Sequence, residues 1–197
     1  MNKNFELWLD ESGDFENQHE LEGTTRKPSL IGGFLVEEEV ADKIDFGGLI
    51  DSNRNHAMEL EEDDKKNYVL PVLQKMKSEY NAAQVFFENQ EYHDEATSRQ
   101  LYLSMMAEGI LQLLQRLNAR YESVGLRVTI AQRQDVTAEA GNQRIRENEY
   151  KKALEYCIKR KQRERRAMLH PDCEVSFEIC RASDSMRLQL ADFACNT

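Results

Sequence analysis

The sequence has few prolines and glycines, the residues that are frequent in linkers between domains. Only three prolines and nine glycines occur among its 197 residues, so we expect no long linker and a single domain over residues 1–197. No apolar run approaches the ~20 residues needed to cross a bilayer. The N-terminal stretch MNKNFELWLDE is too polar for a signal peptide. These absences predict a cytoplasmic chain without a membrane partner.

Cysteine is scarce, and its spacing indicates no paired function. The four cysteines form no C-x-x-C pair, and His170 with Cys173 lacks the further ligands of a structural zinc site. We therefore expect free thiols, as in a reducing compartment such as the cytoplasm.

Positive charge is also in short supply. The chain carries 26 Lys and Arg against 36 Asp and Glu, which gives a net charge of −10. A composition of 40% hydrophobic and 31% charged residues is that of a globular protein. An acidic chain can still bind nucleic acid, provided that its basic residues gather locally.

Alternating and continuous apolar segments predict five strands, and the 3.6-residue period predicts helices between them. The predicted strands cover 5–9, 29–36, 83–87, 126–131 and 174–180. The predicted helices cover 37–44, 59–80, 97–123, 142–168 and 184–194, with a loop at 45–55. This order predicts an α/β fold and resembles the ribonuclease H-like arrangement, with residues 37–80 as a helical insertion between strands 2 and 3.

Glycine and proline predict where these elements bend or stop. The Gly32-Gly33 pair predicts a bulge or a close backbone approach in the second strand. Pro71 must interrupt or begin part of the helix around it. Gly125 is expected to end the long helix that precedes the fourth strand.

An acidic motif follows the first strand. It reads Asp10-Glu11-Ser12-Gly13-Asp14. A carboxylate at a strand end is held rigidly, and two or three such groups can bind Mg²⁺, which takes oxygen ligands. The same residues are also those of a plain turn, so both interpretations stay open.

A second motif lies in the last predicted helix, which ends close to Thr197 and which we expect to be shortened. Asp192 follows apolar residues in this helix, and burying a carboxylate is costly unless it is paired or bound to metal. Asp184 is expected to cap the helix. Gln189 is expected to orient backbone or substrate.

The two motifs together carry a family resemblance. The sequences D-E-S-G-D at 10–14 and L-Q-L-A-D at 188–192 resemble the ends of the DUF3800 family, uncharacterised proteins with a ribonuclease H-like fold. With the element order between them, the resemblance covers nearly the whole chain. It implies a mixed five-stranded sheet flanked by helices.

The resemblance also implies a nuclease-type centre with two Mg²⁺ or Mn²⁺ ions ~4 Å apart. Asp10 and Asp192 would be the principal ligands. Asp14 is a weaker ligand candidate, and Glu11 is a further catalytic candidate, with Ser12 as a supporting residue.

Two departures from the family pattern put activity in question. The fourth strand lacks an acid at its end, since Asp135 lies beyond it and Gln132 stands nearer. Arg54 stands near the place of another expected acid, for which Glu59 could substitute. His56 could be a proton shuttle or an ordinary surface or core histidine. A degenerate, inactive site is therefore an alternative.

One stretch of the chain is strongly basic. Its functional interpretation is contact with the phosphates of a nucleic acid, and its alternative is a solvated helix end favoured by the helix dipole. The stretch comprises Lys159, Arg160, Lys161, Arg163, Arg165 and Arg166.

The expected function is that of a divalent-metal-dependent nuclease or related phosphoryl-transfer enzyme acting on DNA or RNA. A module that keeps the fold, has lost catalysis, and binds nucleic acid or a protein partner is the alternative. A third interpretation is an interaction protein that forms homo-oligomers through its long polar helix.

Overall fold

The computed structural model describes residues 2–13, 15, 29–51, 54, 56–88, 98–132, 143–164 and 173–197. Five strands form one mixed sheet in the order β3-β2-β1-β4-β5. The central strand β1 runs antiparallel to β2 and parallel to β4. The strands are β1 Asn2–Ser12, β2 Leu30–Glu37, β3 Ala83–Glu88, β4 Ser123–Ala131 and β5 Glu174–Cys180.

Helices flank the sheet, so the predicted α/β class with a five-stranded mixed sheet is confirmed. They are α1 Glu38–Ala41, α2 Phe46–Leu49, α3 Glu62–Asp64, α4 Leu70–Glu79, α5 Ser98–Asn118, α6 Gln143–Glu164 and α7 Met186–Cys195. Short 3₁₀ turns cover Ala57–Glu59 and Ala182–Asp184. No helix in these described ranges is long and apolar enough to cross a membrane.

The predicted helical insertion between β2 and β3 comprises α1 to α4. A π-helical turn, Lys65–Val69, joins α3 to α4. Pro71 lies in the first turn of α4, directly after this π-helical turn. Residues 62–79 form one continuous helix, and its change to π-helical geometry directly before Pro71 accommodates the N–H that proline lacks. The prediction that Pro71 interrupts or begins a helix is confirmed.

One face of the sheet packs against α5 and α6. Alternate residues of β1 point to this side, namely Phe5, Leu7 and Leu9. The predicted apolar stripe of α5 lies against them and is buried throughout: Leu101, Met105, Ile110, Leu111, Leu114 and Leu117. Leu154 and Ile158 of α6 complete this core, as predicted.

The other face of the sheet packs against α7 and the insertion. Trp8 of β1 and Phe34 of β2 lie in this second core with Leu190 and Phe193 of α7. Because side chains alternate along a strand, Glu6 and Asp10 project to the same side as Trp8. The first motif therefore sends Asp10 and Glu11 to opposite faces.

Of the two interpretations left open for the first motif, the plain turn does not hold for Asp10-Glu11-Ser12. These residues continue β1, pairing with Gly32, Ile31 and Leu30 in turn. Strand propensity is low for Asp and Ser, but the long apolar β2 supplies an unbroken ladder of partners. Tertiary pairing therefore overrides the local turn signal.

Two further boundaries differ from prediction. The predicted loop at 45–55 contains α2, because the Asp45 side chain accepts a hydrogen bond from Gly48 N–H at 3.1 Å and caps that turn. Gly125 does not end a helix. It lies inside β4, while α5 already ends at Asn118.

Candidate functional site

Asp10 enters the candidate site from the central strand. It lies near the end of β1, opposite Gly32 of β2, on the face that α7 covers. Its carboxylate accepts a hydrogen bond from Glu11 N–H at 2.8 Å. The neighbouring apolar core fixes the strand and therefore the backbone that carries this carboxylate.

Asp192 enters the site from α7 and is buried, with 8% of the residue exposed. Two donors hold its carboxylate. Ala57 N–H donates to Oδ2 at 2.8 Å, and the Asn196 side-chain amide donates to Oδ1 at 2.7 Å. The half-exposed His56 places Nδ1 4.0 Å from the same Oδ2. The insertion, through residues 56 and 57, thus orients this acid.

A close contact between α7 and β1 brings the two acids into one buried region. The Cys195 thiol donates to the backbone carbonyl of Asp10 at 3.1 Å, and Asp192 lies one helical turn earlier. Gly32 permits this approach, since an added Cβ would lie 2.9 Å from Cys195 Sγ. The predicted close backbone approach at the glycine pair is confirmed, and the paired register of β2 there runs without a bulge.

The two acids share an unfavourable electrostatic environment. Burial first and the charge of Asp192 second, opposed by the hydrogen bond from Glu11 N–H, together raise the pKa of Asp10 to about 7. Burial also raises the pKa of Asp192, with a smaller contribution from the charge of Glu59. The bonds from Ala57 and Asn196 oppose that rise in the pKa of Asp192.

No cationic side chain of the described ranges offsets Asp10. Two desolvated carboxylates with incomplete counter-charge match the donor chemistry of a hard divalent cation. Across the same ranges, no three side chains of His, Cys, Asp and Glu form a group that could hold a metal ion. The further ligand candidates Asp14 and Asp135 lie outside the described residues.

Glu11 lies apart from this pair. The Tyr102 hydroxyl of α5 donates to Glu11 Oε2 at 3.3 Å, on the other face of the sheet. Ser12 is the last residue of β1 and pairs with Leu30. The structure therefore brings Asp10 and Asp192 together and places Glu11 against the α5 side.

The structure locates both supporting residues of the second motif, Gln189 and Asp184. Gln189 is buried in α7, with 7% exposed. The prediction that Asp184 caps this helix is wrong, because Asp184 lies in the preceding 3₁₀ turn and Ser185 occupies the N-cap position. Asp184 instead accepts a hydrogen bond from the Ser183 hydroxyl at 3.0 Å.

Arg54 lies shortly before His56 and Ala57, the two residues of the insertion that contact Asp192. Its guanidinium forms an ion pair with Asp64 at 3.2 Å and lies 5.6 Å from the centre of the Tyr68 ring. Tyr68 in turn packs edge-on against Phe193 of α7. Arg54 is thus paired with an acid of α3 and is connected to α7 only through Tyr68.

Sequence reasoning missed a charge cluster on the same face, in which two partly exposed arginines surround the buried Glu6. Glu6, only 2% exposed, accepts a hydrogen bond from Trp8 Nε1 at 2.8 Å. Arg187 Nε of α7 lies 2.9 Å from the same oxygen, Oε2, as an ion pair without hydrogen-bond angles. Arg127 NH1 lies 3.3 Å from Oε1. The alternation of β1, which puts Glu6 on the side of Trp8, was the available signal.

The basic stretch lies on α6, across the sheet from Asp10. Lys159, Arg160 and Arg163 are exposed. Arg160 is paired with Glu164 at 3.0 Å, and Lys161 with Glu108 at 3.0 Å. Arg165 and Arg166 lie outside the described residues. These ion pairs favour the interpretation of a solvated helix end for part of the stretch.

Comparisons with known proteins add no family. A scan of the chain against protein-family models finds no match, and a search of curated proteins also finds none. The resemblance of the two end motifs to the DUF3800 family therefore stays a prediction from the sequence.

Proposed function

We propose that this chain is a divalent-metal-dependent nuclease, or a related phosphoryl-transfer enzyme, with a ribonuclease H-like fold. The observation that carries the proposal is the buried pair of carboxylates from the end of the central strand and the closing helix. Asp192 is near enough to raise the pKa of Asp10, and no described cation offsets Asp10.

The strand order supports the fold assignment. In the sheet β3-β2-β1-β4-β5, an antiparallel β1-β2-β3 meander is followed by two strands parallel to β1. The resemblance implies a mixed sheet of five strands, with Asp10 after the first strand as a principal ligand. Asp10 occupies that position on β1.

Asp10 and Asp192 would hold Mg²⁺ or Mn²⁺, with Asp14 and Asp135 as further candidate ligands. A bound divalent ion supplies Lewis-acid activation of a phosphodiester. Ala57 N–H and the Asn196 amide orient the Asp192 carboxylate. His56, with Nδ1 4.0 Å from Asp192 Oδ2, would be the proton shuttle of this site.

The test is hydrolysis of DNA and RNA oligonucleotides with Mg²⁺, with Mn²⁺ and with excess EDTA. We expect cleavage only with metal, and we expect Asp192→Asn to abolish it while the fold stays intact, because Asn keeps the size of Asp without the charge. Asp63→Asn, the same change at an exposed residue of α3, is the matched control. Full activity of Asp192→Asn, or in EDTA, rejects the mechanism.

A non-catalytic module is the second candidate, and two observations favour it. The described residues contain no three-residue metal group, and Arg54, where the resemblance implies an acid, is instead paired with Asp64. In this case nucleic acid or a protein partner would bind without metal. Metal-independent binding together with no hydrolysis of any nucleic acid would select this candidate over the enzyme.

A further inference from the structure

The buried Glu6 cluster ties together the same two elements that carry the candidate acids. Glu6 lies four residues before Asp10 on β1, and both project to the α7 face. Arg187 lies five residues before Asp192 on α7. The Glu6–Arg187 contact of 2.9 Å is therefore a second link between β1 and α7, away from the acids themselves.

The contacts of the cluster fix the orientation of the Glu6 carboxylate and the Arg187 guanidinium. Trp8 Nε1 and Arg187 hold one carboxylate oxygen of Glu6, and Arg127 contacts the other. The guanidinium of Arg187 also lies 5.7 Å from the Trp8 ring centre and 5.6 Å from that of Phe46. Aromatic rings on both β1 and α2 thus confine the arginine.

Apolar packing alone would define the position of α7 poorly. Its sheet-facing side chains include Leu190 and Phe193, and such surfaces tolerate sliding and rotation better than a directional charge contact. A displacement by one helical turn is ~5.4 Å, which would remove Asp192 from Ala57 N–H. Setting register is the best-attested use of a buried polar or ionic contact.

We propose that the Glu6–Arg187 ion pair sets the register of α7 on β1 and thereby holds Asp192 beside Asp10. Glu6 and Arg187 are then positioning residues of the site, and their importance to a metal rests on the proposed function above. Their role in placing Asp192 is independent of any metal.

The experiment replaces the charged pair with a neutral one. Glu6→Gln with Arg187→Met keeps an acceptor for Trp8 Nε1 and most of the length of the Arg187 side chain. Exchanging both partners of a buried ion pair together is often neutral for stability, whereas removing one partner leaves a buried charge. We therefore expect the double variant to fold with a thermal midpoint close to that of the wild type.

The direct readout is hydrogen exchange at the Ala57 amide, which donates to Asp192 Oδ2 at 2.8 Å. We expect exchange at Ala57 to be at least roughly tenfold faster in the double variant, because local opening raises amide exchange, while amides of the β1–β4 ladder keep their protection. The second readout is Mn²⁺ affinity, which we expect to fall roughly 10- to 100-fold.

The matched control removes another ion pair from the same strand. Lys3 and Glu37 lie 2.7 Å apart at the surface and do not involve α7. Lys3→Met with Glu37→Gln should leave both Ala57 exchange and Mn²⁺ affinity unchanged. This control separates a loss of charge on β1 from a loss of register.

The outcomes separate the inference from the proposed function. Wild-type exchange at Ala57 in the folded double variant overturns the register role, whatever metal does. Faster exchange at Ala57 in a protein whose wild type binds no Mn²⁺ supports the register role and rejects the metal centre. Should the double variant fail to fold, Arg187→Met alone removes the ion pair while Arg127 still pairs with Glu6 Oε1, and wild-type exchange at Ala57 in that variant overturns the inference.

Discussion

The two faces of the sheet are built from different kinds of side chain. Against α5 and α6 the core is apolar, with Leu7, Leu9 and Leu114 completely buried. Among the described residues, and apart from the hydroxyls of Tyr102 and Tyr150 in α5 and α6, the buried polar side chains all belong to the α7 side. They are Glu6 of β1, Thr129 of β4, which pairs with Trp8, and Gln189 and Asp192 of α7. Both faces carry an apolar core, but the α7 side also holds carboxylates whose burial reduces stability.

The cost on the α7 side has a physical origin. Burying a carboxylate disfavours its charged form, and a second carboxylate nearby adds repulsion. Asp10 experiences both effects, which is why its pKa is raised to about 7. Proteins accept such local costs mainly at functional sites, so the contrast between the faces supports the proposal that the site lies on the α7 side.

The largest expected effect is a difference in activity between substitutions of Asp10 and Glu11, neighbouring acids that project to opposite faces of the sheet. Asp10→Asn should abolish metal-dependent hydrolysis, since it removes a ligand charge from the α7 side. Glu11→Gln should retain more activity, because Glu11 contacts Tyr102 on the α5 side. Initial rates of oligonucleotide cleavage at saturating Mg²⁺ measure both. Equal losses in the two variants would break the assignment of the chemistry to one face.

A substitution in the core against α5 and α6 should lower stability and leave metal affinity unchanged. Leu114 of α5 is fully buried, and Leu114→Ala should lower the free energy of unfolding by about 2–5 kcal/mol through reduced burial and a residual cavity. Urea denaturation measures this decrease. Mn²⁺ affinity below the unfolding range should change little. A large decrease in affinity with little decrease in stability would show that the faces are not separate in function.

Sequence patterns predicted the elements well because local periodicity reports burial. The α5 stripe, the fifth strand and the position of the insertion follow from the spacing of apolar residues. The continuation of β1 through Asp10 did not follow, since only pairing with Gly32 reveals it. The α2 turn was missed because Asp45 caps a segment too short for a periodic signal.

The candidate site divides in the same way. Asp10 and Asp192 were named from their motifs, but their shared burial depends on how α7 packs on β1. The hydrogen bond from Ala57 N–H links residues 135 positions apart in the chain. The Glu6–Arg187 pair likewise joins distant segments. Contacts between residues so far apart in the chain leave no local pattern in the sequence, so the sequence could not predict them.

Because Asp10 is buried on the α7 side, the free energy of unfolding of the metal-free protein should depend on pH. We expect this effect to be smaller than the two above. Asp10 has a folded-state pKa of about 7 and an ordinary value of 3.8. Between these values the folded state holds a proton that the unfolded state has released, so the contribution to stability falls as pH rises through this window and levels above it.

Urea denaturation in EDTA from pH 4.5 to 8 measures this slope in the wild type and in Asp10→Asn. The variant cannot titrate at position 10 and should show a shallower decline over the same window. An identical slope in the two proteins would mean that Asp10 is ionised throughout and that its burial is not costly.

The smallest expected effect concerns the basic stretch of α6. Changing Arg163, Arg165 and Arg166 to Gln should weaken nucleic-acid binding and flatten its salt dependence, by about one unit of log–log slope for each phosphate that the variant no longer neutralises. Arg160→Gln, at a residue already paired with Glu164, is the comparison variant. An unchanged salt slope in the triple variant would assign the stretch to a solvated helix end.

The central claim is that Asp10 and Asp192 form one divalent-metal site, and a crystal soaked in Mn²⁺ tests it most directly. We predict an anomalous difference peak bonded to oxygens of both carboxylates, with any second ion ~4 Å away. Crystals of Asp192→Asn soaked in the same way should lack that peak. Saturating Mn²⁺ without a peak there, or carboxylate oxygens more than ~8 Å apart, too far for a two-ion site, would contradict the claim.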